Sequence, residues 1–135
     1  MDTGFVVRQN EPRREDGVVE NEPGIITSPD ATDNLGKIVG IFPPFTVQKG
    51  DQFKAVIGCL YDMPECDVYF DLRYKIGTGR MQDLASWHEV YDGEAHRVAV
   101  DLSALAGREV RFVLRVGNNN SAVDNQALWI MPRIM

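Results

Sequence analysis

The sequence predicts an all-β fold: an antiparallel two-sheet β-sandwich. Three observations carry this. Apolar residues recur at every second position in many short segments, the period of a half-buried strand. Clusters of Gly, Pro, Asn and Asp separate those segments at short intervals. Only one scrap of the chain reads as helix. One apolar face per strand is the pattern of antiparallel sheets whose other face meets water. At 135 residues the chain is most simply one domain, residues 1–135, long enough for a two-layer core.

Taken in order, Gly4 to Arg8 reads as a short apolar strand. Residues 9–24 mix Glu, Arg, Asn, Asp, Pro and Gly without a period, which predicts a solvated, mobile loop. Ile25 to Thr27 is a brief strand and Ser28 to Gly36 another turn-rich loop. Lys37 to Gln48 is strand-like on both sides of Pro43 and Pro44, which interrupt the ladder because proline has no N–H. Gln52 to Leu60 places Phe53, Ala55 and Ile57 on one face. Asp67 to Ile76 is the clearest amphipathic strand. Val68, Phe70, Leu72, Tyr74 and Ile76 face one way, and Asp67, Tyr69, Asp71, Arg73 and Lys75 the other. Gly77 to Ser86 reads as a loop.

Asp92-Gly93 is the strongest hairpin signal, because a type I′ turn needs positive φ at both central residues. A two-residue turn there would pair Tyr91 with Glu94, Glu89 with His96 and Trp87 with Val98. Val98, Val100 and Leu102 alternate with polar positions, so that face, and Trp87 with it, is expected in the core. Asp101 to Gly107 is one helical turn stopped by Gly107. Val110, Phe112, Leu114 and Val116 mark the next core strand, Asn118 to Asn125 a polar loop, and Ala127 to Ile134 the last strand, with Pro132 at a bulge or an edge. Trp129 lies in an apolar run and reads as core.

Cys59 ends one predicted strand and Cys66 begins the next. A disulfide across a hairpin mouth would contribute about 2.5 kcal/mol on the loop-entropy model; the alternative is two buried free thiols. Two cysteines without a second ligand pair fall short of a structural zinc site.

The net charge of −6 argues against nucleic acid as a partner, since that binding rests on clustered cations. No apolar run approaches the ~20 residues of a membrane helix. The start, Met1-Asp-Thr-Gly4, lacks a basic and apolar leader, so the chain reads either as cytoplasmic or as a domain of a larger exported polypeptide. Enzyme chemistry is not expected. The histidines, His88 and His96, fall on opposite faces of the predicted hairpin, and Ser103 is not on a nucleophile elbow.

Several stretches together resemble a known family: V-Q-x-G-D-x-F at Val47 to Phe53, Y-D-G-E at Tyr91 to Glu94, V-D-L-S-x-L-A-G at Val100 to Gly107, and D-x-x-A-L-W-x-x-P-R-I at Asp124 to Ile134. The pattern is similar to the galactose-binding-domain-like jelly rolls, specifically the non-catalytic carbohydrate-binding modules appended to bacterial secreted proteins and glycosidases. It covers the last third of the chain firmly and the middle loosely; the first 36 residues take no part. The resemblance implies a jelly-roll sandwich, glycan binding or a spacer role, and an extracellular setting. It also implies a structural calcium, for which Asp30, Asp33 and Asn34 in one loop and Asp124 and Asn125 in another supply hard oxygens. Asx turns account equally for such clusters.

A glycan site needs an exposed ring and polar groups for hydroxyls. Tyr69, with Asp71 and Arg73 on its own strand and Arg111 and Arg115 on another, is the predicted ligand face, with a preference for acidic sugars. The alternative is an ordinary solvated sandwich face.

Overall fold

The computed structural model describes residues 5–19, 22–29, 36–121 and 123–135. Ten strands are described: β1 (Phe5–Gln9), β2 (Gly24–Ser28), β3 (Lys37–Ile41), β4 (Phe45–Thr46), β5 (Gln52–Cys59), β6 (Asp67–Lys75), β7 (Gln82–Val90), β8 (His96–Asp101), β9 (Glu109–Asn118) and β10 (Ala127–Ile134). One sheet has the order β1-β2-β10-β5-β8 and the other β3-β9-β6-β7, with β4 pairing β9. Every pairing is antiparallel. The predicted sandwich is therefore present, in a form compatible with a jelly roll.

The core forms where the inward faces meet. Phe53, Ala55 and Ile57 from β5 pack with Val68, Phe70 and Leu72 from β6 and with Phe112, Leu114 and Val116 from β9. Trp129 of β10 is fully buried at the centre. Its ring meets Phe53, Phe70 and Trp87 edge-on, with centroids 6.2, 4.9 and 6.5 Å away. Trp87 is half-buried and packs on the same cluster. Ser103–Leu105 forms a short 3-10 turn, closed by Gly107 at φ 82°. Pro132 sits within a register shift between Ile130 and Arg133, as a residue without an N–H requires.

Three expectations are corrected. First, Gly77–Ser86 is not all loop, because β7 begins at Gln82 and pairs with β6. Gln82-Asp-Leu-Ala-Ser86 lacks the β-branched residues that signal a strand. Pairing with β6 imposes the strand on it, across a bulge between Leu72 and Arg73. Second, Asp92-Gly93 does not close a two-stranded hairpin: β7 pairs with β6, while β8 pairs with β5 in the other sheet. Gly93 has φ 79°, but Asp92 is not among the positive-φ residues, so the type I′ geometry is absent. The chain here crosses from one sheet to the other. Third, the Cys59–Cys66 disulfide exists, but it joins β5 to the residue before β6 and so ties the two sheets together rather than pinning a hairpin. Reducing it is expected to cost about 2.5 kcal/mol, read as a lower urea midpoint with reductant than without.

Residues 13–19 are held to the body of the sandwich. Arg13 bridges to Val19 and Arg14 to Leu60, and the Glu15 side chain is buried.

Candidate functional site

The outer face of the β3-β9-β6-β7 sheet collects most of the predicted ligand residues. Register builds three rows across it: Lys37–Gly117–Tyr69–His88, Val39–Arg115–Asp71–Ser86 and Ile41–Val113–Arg73–Asp83. Directly opposed residues share a face, so each row is one line of neighbouring side chains.

In the first row the Tyr69 ring, 40% exposed, stacks on His88 with centroids 4.6 Å apart and planes 24° from parallel. Two rings stacked across neighbouring strands stand edge-up from the sheet. On the strand opposite His88 the neighbour of Tyr69 is Gly117, which has no side chain. Lys37 bounds the far side: a Cβ added at Gly117 would come 3.5 Å from Lys37 Cγ. Lys37 and Tyr69 are two strand spacings apart, about 9.5 Å. Ring, glycine and lysine thus lie side by side across three adjacent strands, with the glycine as the gap, or slot, between the other two. At its end His88 Nε2 lies 2.6 Å from Asp67 Oδ1. Asn119 Nδ2 donates to both Asp67 oxygens at 3.2 and 3.4 Å.

The second row is internally satisfied. Asp71 is only 8% exposed. Its Oδ2 accepts from Arg115 at 2.7 Å and its Oδ1 from Ser86 Oγ at 2.7 Å. In the third row Arg73 Nε donates to Asp83 at 2.6 Å. These ions are committed to each other. Arg111 is exposed but sits six residues along β9 from Gly117, about 20 Å at strand rise. So Tyr69, Asp71, Arg73 and Arg115 do share a face, Arg111 lies at its far end, and only Tyr69 presents a free surface to the slot.

Lys37, Asp67, His88, Gly117 and Asn119 were not foreseen. Their signal was available only through strand order. Once β6 is known to lie between β7 and β9, Tyr69 must neighbour His88 and Gly117.

Of the residues proposed for calcium, Asp30 and Asp33 lie outside the described residues. Asp124 Oδ2 accepts the Glu65 N–H at 3.4 Å. Asn125 Oδ1 accepts the Asp67 N–H and its Nδ2 donates to Asn118. These bonds hold the loop against β6 and β9.

Larger concavities lie elsewhere. An apolar cleft of about 350 Å³ opens at one end of the sandwich between Phe42–Phe45 and Pro132–Ile134. A groove of about 550 Å³ on the outer face of the other sheet is lined by Lys54, Arg97 and Arg133 around Val56 and Ala99. No described helix is long and apolar enough to cross a membrane.

No family model matches the chain, and no curated protein matches it.

Proposed function

We propose that this chain is a non-catalytic carbohydrate-binding module of the galactose-binding-domain-like type, working as part of an exported polypeptide. The observation that carries the reading is the slot beside Tyr69. A pyranose ring has apolar C–H faces that stack on an aromatic wall and hydroxyls that seek planar polar partners. Tyr69 supplies the wall. Asp67 and Asn119 supply a carboxylate and an amide at one end. Lys37 supplies an ammonium on the opposite side, which favours an acidic sugar such as a uronic acid over a neutral one. The chain's net charge of −6 makes that local preference a matter of the slot, not of the whole surface. The cross-sheet disulfide supports an oxidising, extracellular setting. Few ligand atoms would be buried in so shallow a slot, so Kd on the order of 10–1000 μM is expected.

Calorimetry with neutral and acidic oligosaccharides tests this. Tyr69→Ala is expected to weaken binding about tenfold, or ~1.4 kcal/mol, while leaving stability nearly intact. Gly117→Val fills the floor of the slot without strain, since Gly117 has no positive φ and the new Cβ meets only ordinary contacts; it too is expected to remove binding. If the wild type binds no glycan, the second reading stands, a structural spacer or protein-interaction sandwich without a small ligand. Binding that survives both substitutions moves the ligand off this face, with the Lys54–Arg97–Arg133 groove as the next place to look.

A further inference from the structure

The crossing from β7 to β8 gathers acidic and basic groups that the glycan reading does not use. Glu89 near the end of β7, Asp92 in the connection and His96 at the start of β8 bring one ligand atom each within 4.8 Å of one another. Glu89 is 2% exposed, and its Oε1 is buried with no hydrogen-bond partner among the described residues. Its Oε2 lies 3.3 Å from His96 Nε2. Behind them, Glu15 accepts from three backbone groups: the Cys59 N–H at 2.9 Å, the Asp92 N–H at 2.8 Å and the Gly93 N–H at 3.1 Å. Those bonds favour a charged Glu15 carboxylate and aim the Asp92 turn toward it. Two carboxyl groups held together in a buried place need a positive charge or a proton between them.

We propose that Glu89, Asp92 and His96, with Glu15 supporting them from behind, form a binding site for a divalent transition-metal cation such as zinc. Three features support this. Ligands about 2.0–2.1 Å from a tetrahedral zinc lie about 3.3–3.4 Å apart, and the Glu89–His96 separation of 3.3 Å matches that edge. The donor set, one imidazole and two carboxylates, suits zinc and its neighbours rather than calcium or magnesium, which take oxygen ligands. Glu15 has the position of a supporting group: it fixes the turn that carries Asp92 and adds negative charge next to Glu89. Asp92 and His96 are exposed, so a cation can enter from solvent and the site can close by a small rotation of either side chain. The site stands apart from the Tyr69 slot and does not depend on glycan binding.

Titration of the chelator-treated, disulfide-intact protein with zinc chloride by calorimetry at pH 7 tests the proposal. Saturable one-to-one binding is expected. His96→Ala removes an exposed ligand without touching the core and is expected to weaken zinc binding at least tenfold. Glu89→Gln is expected to do the same. His88→Ala, at the only other histidine, is expected to leave zinc affinity within about twofold. Absence of zinc binding in the wild type overturns the proposal. So does wild-type affinity in His96→Ala, or a loss produced by His88→Ala instead.

Discussion

Trp129→Ala is expected to cost about 3–5 kcal/mol, the range for a large aromatic removed from a packed core. Trp129 is fully buried and meets three other aromatic rings edge-on, one from its own sheet and two from the facing one. Its removal leaves a cavity between the sheets that the disulfide-tied β5–β6 connection cannot close by sliding. Total stabilities of domains this size run about 5–15 kcal/mol, so the variant should be marginal. Urea denaturation followed by circular dichroism checks it; a midpoint close to wild type would mean that the sheets do not depend on this ring. Trp129→Phe is expected to lose much less. Nε1 of Trp129 is buried without a partner among the described residues, so phenylalanine keeps most of the apolar contact and removes an unsatisfied donor. Trp87→Ala is expected to fall between them, at roughly 1–3 kcal/mol, because that ring is only half-buried on the edge strand β7.

The period-2 pattern made the core legible in advance. Phe53, Phe70, Phe112 and Trp129 all point inward as alternation requires. Pairing was not legible. Asp92-Gly93 carries a strong local turn signal, yet a distant side chain, Glu15, accepts both of that turn's N–H groups and the chain crosses between sheets there. A turn motif reports a change of direction; which strand becomes the partner depends on the whole fold. The same gap explains the ligand face. Alternation turned Tyr69 outward correctly, but whether Asp71 and Arg115 were free or bonded to each other depended on β6 lying beside β9. Residues 9–24 read as solvated by composition alone, and one acid within them, Glu15, is buried against three backbone donors. A single carboxylate in a charged segment has no period to betray it.

That acid sets the second large effect, a stability that falls as pH rises. Burial, the adjacent Glu15 and the nearby Asp92 and Glu94 push the Glu89 carboxyl up to about 9 from its ordinary 4.5. Burial also raises Glu15, partly offset by the N–H groups of Cys59 and Asp92 that favour its charge. Below pH 4.5 Glu89 holds its proton in both folded and unfolded chains and contributes no slope. Between about 4.5 and 9 the folded chain keeps a proton that the unfolded chain releases, so the unfolded state gains as pH rises. For one proton the loss approaches ~1.4 kcal/mol per pH unit. The loss accumulates across that window. Asp16 and Asp101 act in the opposite sense at the acid end. Arg14 holds Asp16 below its ordinary value and Ser103 does the same for Asp101, so their support is lost as pH falls below about 4. The expected profile is a maximum near pH 5 and a steady decline toward pH 9, measured by urea denaturation in the presence of a chelator. Glu89→Gln keeps the shape and cannot ionise, so it should match the wild type near pH 5, exceed it at pH 8–9 and flatten the decline between. A wild-type slope that persists in Glu89→Gln would place the titrating group elsewhere. Adding zinc to the wild type at pH 8 should recover much of the lost stability if the metal occupies the crossing, because the cation then supplies the positive charge that the departing proton took away.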